Sequence, residues 1–173
     1  AYGNSASTNY PFRLVQQATT DVETVQNALN GLMATGGGQH ESSLEALYQT
    51  LSGVGYDENC DGRYQEGVDV QPFQSSHLDP FGGTAPPREV ADTLGTGKVG
   101  GVGFRSGAYK IVIYGTDEEL LDPDRGDMTP GGCPQDAGHG IVAAAARSIG
   151  AKLIGVAVGH GNGPSETILA QMN

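Results

Sequence analysis

Two short apolar runs, Tyr109-Lys110-Ile111-Val112-Ile113-Tyr114 and Lys152 to Val158, flank a stretch with helical periodicity. Both are short and rich in β-branched residues, so both read as strands. Their nearly all-apolar composition predicts strands covered on both faces. Between them Ile141, Val142, Ala145 and Ile149 recur at helical spacing, which predicts a helix from about Gln135 to Ile149 with Gly150 as its stop. A strand–helix–strand unit closes by a right-handed crossover into a parallel sheet. The fold class this implies is α/β, an open, mostly parallel sheet with few strands. Such sheets bind ligands beyond the carboxyl ends of their strands, where Thr116, Asp117 and the 159–163 loop fall.

The chain before this unit is less regular. Residues 1–11 read as a loop and Phe12 to Gln16 as a short strand. Thr20-x-x-Glu23 fits a capping box, and Val22, Val25, Leu29 and Leu32 then mark an apolar helix face that must stop near Thr35, before Gly36-Gly37-Gly38. A second helix is expected from about Glu41, with Leu44, Leu47, Tyr48 and Leu51 facing the core. Residues 53–108 show almost no periodicity; only Arg88, Val90 and Leu94 suggest a turn or two of helix. Irregular stretches of that length are normally functional, stapled by metal or partly disordered. A final helix is expected from Ser165 to Asn173. The whole of 1–173 reads as one domain, with 53–108 as a loop-rich insertion.

Composition narrows the function. The chain carries 28 Gly and 9 Pro in 173 residues, about a fifth of the total against the usual ~12%, so loops are extensive. Its formal net charge is −11. That repels phosphate backbones, arguing against nucleic acid and anionic membrane as partners. No apolar stretch approaches the ~20 residues needed to span a bilayer. Cys60 and Cys133 both sit in Gly/Asp/Pro-rich segments. They are either a disulfide joining two loops of a secreted protein or two unrelated thiols.

Three segments, ATGGGQHESSLEALYQTL (34–51), IVIYGTDEELLD (111–122) and AAAARSIGAKLIGVAVG (143–159), together resemble a von Willebrand factor A domain. The flavour is that of the integrin β I-like domains and related bacterial surface proteins. The resemblance covers about two-thirds of the chain and implies a doubly wound sheet with a metal-ion-dependent adhesion site at its top. The ion in that family is usually Mg²⁺, and a ligand carboxylate completes its coordination. By position, Glu41 matches the glutamate of the family's second loop and Asp117 the aspartate after the fourth strand. The family's Asp-x-Ser-x-Ser motif, which follows the first strand, occurs nowhere here, and Gly38 and Gln39 stand where an Asp is frequent. Either a longer parent chain carries the missing strand or another segment supplies it.

The candidate residues follow from hard-cation chemistry, which wants oxygen ligands. Glu41 and Asp117 could supply carboxylates to Mg²⁺ from adjacent loops, with the Thr116 hydroxyl behind them. The alternatives are a first-turn helix acid for Glu41 and an N-cap or turn residue for Asp117. Asp57-x-Asn59-x-Asp61-Gly62 has the alternating oxygens and turn glycine of a calcium loop. Val68 stands where an EF-hand has its bidentate Glu, so the loop is closer to short extracellular Ca²⁺ loops. Glu66, Asp69 and the backbone oxygen of Arg63 are possible further ligands; a solvated acidic turn is the alternative.

Enzyme signals are weak. Gly95-Thr96-Gly97-Lys98-Val99-Gly100 matches GxGxxG, with no strand before it, and it is no P-loop because Val99 stands where Ser/Thr must be. No GxSxG elbow occurs. His40, His77, His139 and His160 lack metal-ligand spacing, and Asp122 and Asp124 read as solvated loop charges. The function expected is therefore a metal-dependent extracellular or cell-surface module. It would recognise a protein or surface ligand through an acidic side chain of that ligand, without membrane insertion, alongside further segments of a longer parent chain. The alternatives are a Rossmann-like Mg²⁺-dependent phosphate-handling enzyme and a purely structural, calcium-stabilised domain.

Overall fold

The computed structural model describes residues 12–32, 40–74, 76–88, 95–127, 132–134 and 136–158. In chain order its elements are α1 (Val22–Asn30), β1 (His40–Glu41), α2 (Ser43–Ser52), β2 (Lys110–Thr116), β3 (Glu119–Leu120), α3 (His139–Ile149) and β4 (Ala151–Ala157), with a 3₁₀ turn at Pro123–Arg125. β2 and β4 pair in parallel, from Lys110↔Ala151 to Thr116↔Ala157. α3 is their crossover, and β1 pairs in parallel with β3 in a separate two-stranded piece. This is an α/β arrangement with small parallel sheets.

The expected strand–helix–strand unit is present, with a shorter helix. Gly138 is the N-cap of α3 rather than a residue near Gln135, which lies outside the described residues, and Gly150 ends the helix in the left-handed region at φ 67°. The expectation that both strand faces are covered is corrected. Val112, Tyr114, Ala151 and Leu153 pack on the core formed by α2 and α3. On the opposite face Ile111, Ile113, Ile154 and Val156 are 46–69% exposed. The uniform β-branched run hid this difference, because a composition count cannot say which faces of a strand are covered.

α2 is the centre of the molecule. Leu44, Leu47, Tyr48 and Leu51 face α3 and the sheet, joined by Val54, Leu120, Ala137, Val142 and Ala146. Its other side is buried as well. Ala46 joins Phe12, Tyr56 and Val70 in a second cluster, and Glu45 and Gln49 are each 1% exposed. The insertion covers that side. It is ordered by isolated bridges Tyr56↔Val70, Asp57↔Cys133 and Val99↔Phe104, by the Arg88 guanidinium over the Phe73 ring, and by an edge contact of Tyr64 with Phe81. Gly101 closes the join: its N–H donates to the Thr50 carbonyl at 2.9 Å. A Cβ there would collide with the Gln49 carbonyl and with Gly53.

The N-terminal expectations change most. No strand forms at Phe12 to Gln16. The cap of α1 is Asp21, not Thr20, and its carboxylate accepts from the Glu23 and Thr24 N–H groups. The helix ends at Asn30 rather than near Thr35. Its apolar residues are open: Val22 is 79%, Leu29 56% and Leu32 51% exposed. The expected helical turns near Arg88 to Leu94 and the helix from Ser165 fall mostly or wholly on 89–94 and 159–173, outside the described residues. Among the described residues no helix is long and apolar enough to cross a membrane.

Candidate functional site

The β1–β3 pairing assembles the first candidate site. His40 lies beside Glu119 and Glu41 beside Leu120, and the Leu121 N–H donates to the Glu41 carbonyl at 3.1 Å. The start of α2 is thereby tied to the chain leaving β2. That strand ends at Thr116, which is buried. The Thr116 hydroxyl donates to the Glu118 carbonyl at 2.8 Å and accepts from the Glu118 N–H at 3.2 Å. It therefore braces the turn that carries Asp117.

Glu41 is half-buried. Its carboxyl is held above the usual range, first by burial and then by the negative charges of Asp117 and Glu118. Glu41 and Asp117 thus lie at the same end of the molecule. Glu118 belongs with them and was missed in the sequence. The available signal was the unbroken acidic run Asp117-Glu118-Glu119 at a strand's carboxyl end. Among the described residues no group of three or more His, Cys, Asp or Glu converges tightly enough to hold an ion. The 159–163 loop, His160, Gly38 and Gln39 lie outside the described residues.

The second candidate, 57–69, closes through its own hydrogen bonds. Asp57 is 1% exposed, and its carboxylate accepts from the Asp61 N–H at 3.3 Å and the Gly62 N–H at 2.7 Å. Asn59 Oδ1 accepts from the Asp61 N–H. Asp61 accepts from the Arg63 N–H and from Gln65 Nε2. Asp69 accepts from the N–H groups of Glu58 and Gln65. Asp57, Asp61 and Asp69 are thus turned toward loop donors, and Glu66 stands exposed outside them. Cys60 and Cys133 form a disulfide across a sequence separation of 73, with 5.3 Å between Cα atoms. Asp57 and Cys133 also exchange backbone hydrogen bonds of 2.8 and 2.7 Å.

Asp122 and Asp124 are not the free loop charges the sequence suggested. Asp122 is 1% exposed. One of its oxygens accepts from the N–H groups of Asp124 and His139, and the other lies 2.7 Å from His139 Nδ1. Asp124 accepts from the Gly140 N–H at 2.7 Å. The two carboxylates thus satisfy free donors at the start of α3, whose own N-cap is a glycine. Burial raises the Asp122 carboxyl, but the His139 and N–H contacts outweigh it and hold it below the usual range. The GxGxxG segment is a turn packed against Phe104 and Arg105.

Comparison with protein-family models, curated proteins and solved structures finds no match to this chain.

Proposed function

We propose that this chain is a metal-dependent binding module of the von Willebrand A type, acting outside the cell or at its surface. The observation that carries the reading is the β1–β3 pairing, which ties Glu41 to the chain leaving β2 just after Asp117 and Glu118, whose negative charges add to burial in raising the Glu41 carboxyl. Carboxylates held together without a cation repel one another, and a hard divalent ion relieves this. Glu41 and Asp117 would supply carboxylates to Mg²⁺, with the Thr116 hydroxyl behind them; that ion keeps several waters and leaves positions for a ligand oxygen. The net charge of −11 supports the same reading. An acidic group on a partner protein or surface would be repelled by the bare chain and accepted only through a bound cation. The one disulfide favours an oxidising, extracellular setting.

The 57–69 loop would take Ca²⁺. An N–H bond uses one lone pair of a carboxylate oxygen and leaves others, so Asp57, Asn59, Asp61 and Asp69 retain capacity for an ion, with Glu66 and the Arg63 carbonyl as outer ligands. Calorimetric titration tests both sites. Mg²⁺ affinity should fall at least about tenfold in Asp117→Ala, a loss of about 1.4 kcal/mol. Ca²⁺ affinity should fall similarly in the exposed Asp61→Ala. Unchanged affinities in both variants would refute the reading.

A further inference from the structure

A second set of acids lies buried inside the molecule. Glu45 in the first turn of α2 and Asp136 ahead of α3 are 1% and 4% exposed. Glu45 accepts from Gln49 Nε2 at 2.7 Å and from the Ala137 N–H at 2.8 Å. Asp136 accepts from the Tyr56 hydroxyl at 2.6 Å and from the Ser42 hydroxyl at 3.3 Å. Gln49 extends the network to Gly55, donating to its carbonyl and accepting from its N–H. Three pieces of chain therefore meet here: α2, the 54–57 segment of the insertion, and the 132–137 segment that carries Cys133.

Every donor in the network is neutral. The titratable groups facing the pair from the packed elements are Tyr48 on α2 and Tyr56 and Glu58 on the insertion, none of them a cation. No Lys, Arg or His among the described residues pairs with Glu45 or Asp136. Two unpaired like charges at a buried site cannot both be tolerated; one of them is relieved by a proton.

We propose that Glu45 and Asp136 hold one proton between them in the folded protein, and that losing it as pH rises loosens the clasp joining α2, the 54–57 segment and the 132–137 segment. Burial pushes the Glu45 carboxyl up to about 7. The Gln49 and Ala137 hydrogen bonds oppose that rise, and the Asp136 charge adds to it. Burial raises Asp136 also. The folded value thus lies above the unfolded one. The stabilisation is complete below the unfolded carboxyl value and is lost as pH climbs through the folded one. Ser42 follows Glu41 directly, and Asp136 lies near Cys133 in sequence, so the clasp bears on both candidate loops.

Urea unfolding from pH 5 to 7 tests this in wild type, Glu45→Gln and Asp136→Asn. The unfolding constant of wild type should rise about tenfold more per pH unit than that of either variant, the slope of one linked proton. Glu41 is raised in all three proteins and cancels; Glu58 is raised in part by the Asp136 charge, so the Glu45→Gln comparison, which keeps Asp136, is the decisive one. Equal slopes overturn the proposal. Should the variants not fold, carboxyl ¹³C shifts of the wild type decide. An assigned Glu45 or Asp136 carboxyl titrating near 7 supports the clasp, and neither of the two doing so overturns it.

Discussion

Replacing both cysteines, Cys60→Ser with Cys133→Ser, removes a cross-link that closes a long loop. With a separation of 73 residues, the chain-entropy relation gives a loss of about 4 kcal/mol at 25 °C. That is a large share of the ~5–15 kcal/mol typical of a domain. The structure says what remains. Asp57 and Cys133 still exchange their two backbone hydrogen bonds, Tyr56 still bonds Asp136, and the loop acids still accept from their own N–H groups. The native fold therefore survives, and the loss falls mainly on the unfolded side, where the chain is free to expand.

That division has a signature. Urea denaturation of the double variant should show a midpoint shifted by about 2–4 kcal/mol of stability and an increased m-value, because an uncross-linked unfolded chain exposes more surface. A loss under about 0.5 kcal/mol refutes the loop-closure account. A full loss with an unchanged m-value refutes it differently: the disulfide would then act through native contacts rather than through the unfolded ensemble.

Two further substitutions probe the fold. Ile113→Lys, on the open sheet face at 69% exposure, should change stability by no more than about 0.5 kcal/mol. Val112→Lys, one residue away on the core face, should cost at least about 3 kcal/mol because it places a charge among apolar side chains. Similar losses in both would show that the outer face is covered. Asp122→Asn should cost about 1.5–3 kcal/mol at neutral pH by weakening charge-assisted bonds to His139 and its N–H. The folded Asp122 carboxyl lies below its ordinary value. The stability it contributes is therefore present above 3.8 and disappears as pH falls through the folded value. The gap between wild type and variant should close in acid, and a constant gap would refute the assignment.

The parts of the fold legible in the sequence were those governed by local pattern. Gly150 stops α3 because the chain must enter the left-handed region there, and Leu44, Leu47, Tyr48 and Leu51 lie on one stripe because helical spacing puts them there. What failed depended on distant neighbours. Val22, Leu29 and Leu32 recur as a core face would, yet they are exposed, since periodicity reports a helix's amphipathicity and not what meets it. Thr20 and Asp21 are both good caps. Asp21 prevails with a carboxylate that reaches two N–H groups and the Thr24 hydroxyl at once.

The sites divide along the same physical line. Asp117 could be placed in advance because the carboxyl end of a parallel strand is a position the topology defines. Asp57, Asn59 and Asp61 were visible because a turn motif is local. Glu45 and Asp136 were not, and the reason lies in α2. A helix with one partner shows an apolar stripe against a polar remainder. α2 has partners on both sides, and the irregular insertion meets the side that reads as polar. Glu45 and Gln49 are buried there because Ala137 and Gly55, remote in sequence, supply their hydrogen bonds. Burial of a polar helix face requires such partners and leaves no periodic trace. The insertion that looked least informative in the sequence is therefore what turns an ordinary solvent-facing glutamate into the most strongly confined acid of the clasp.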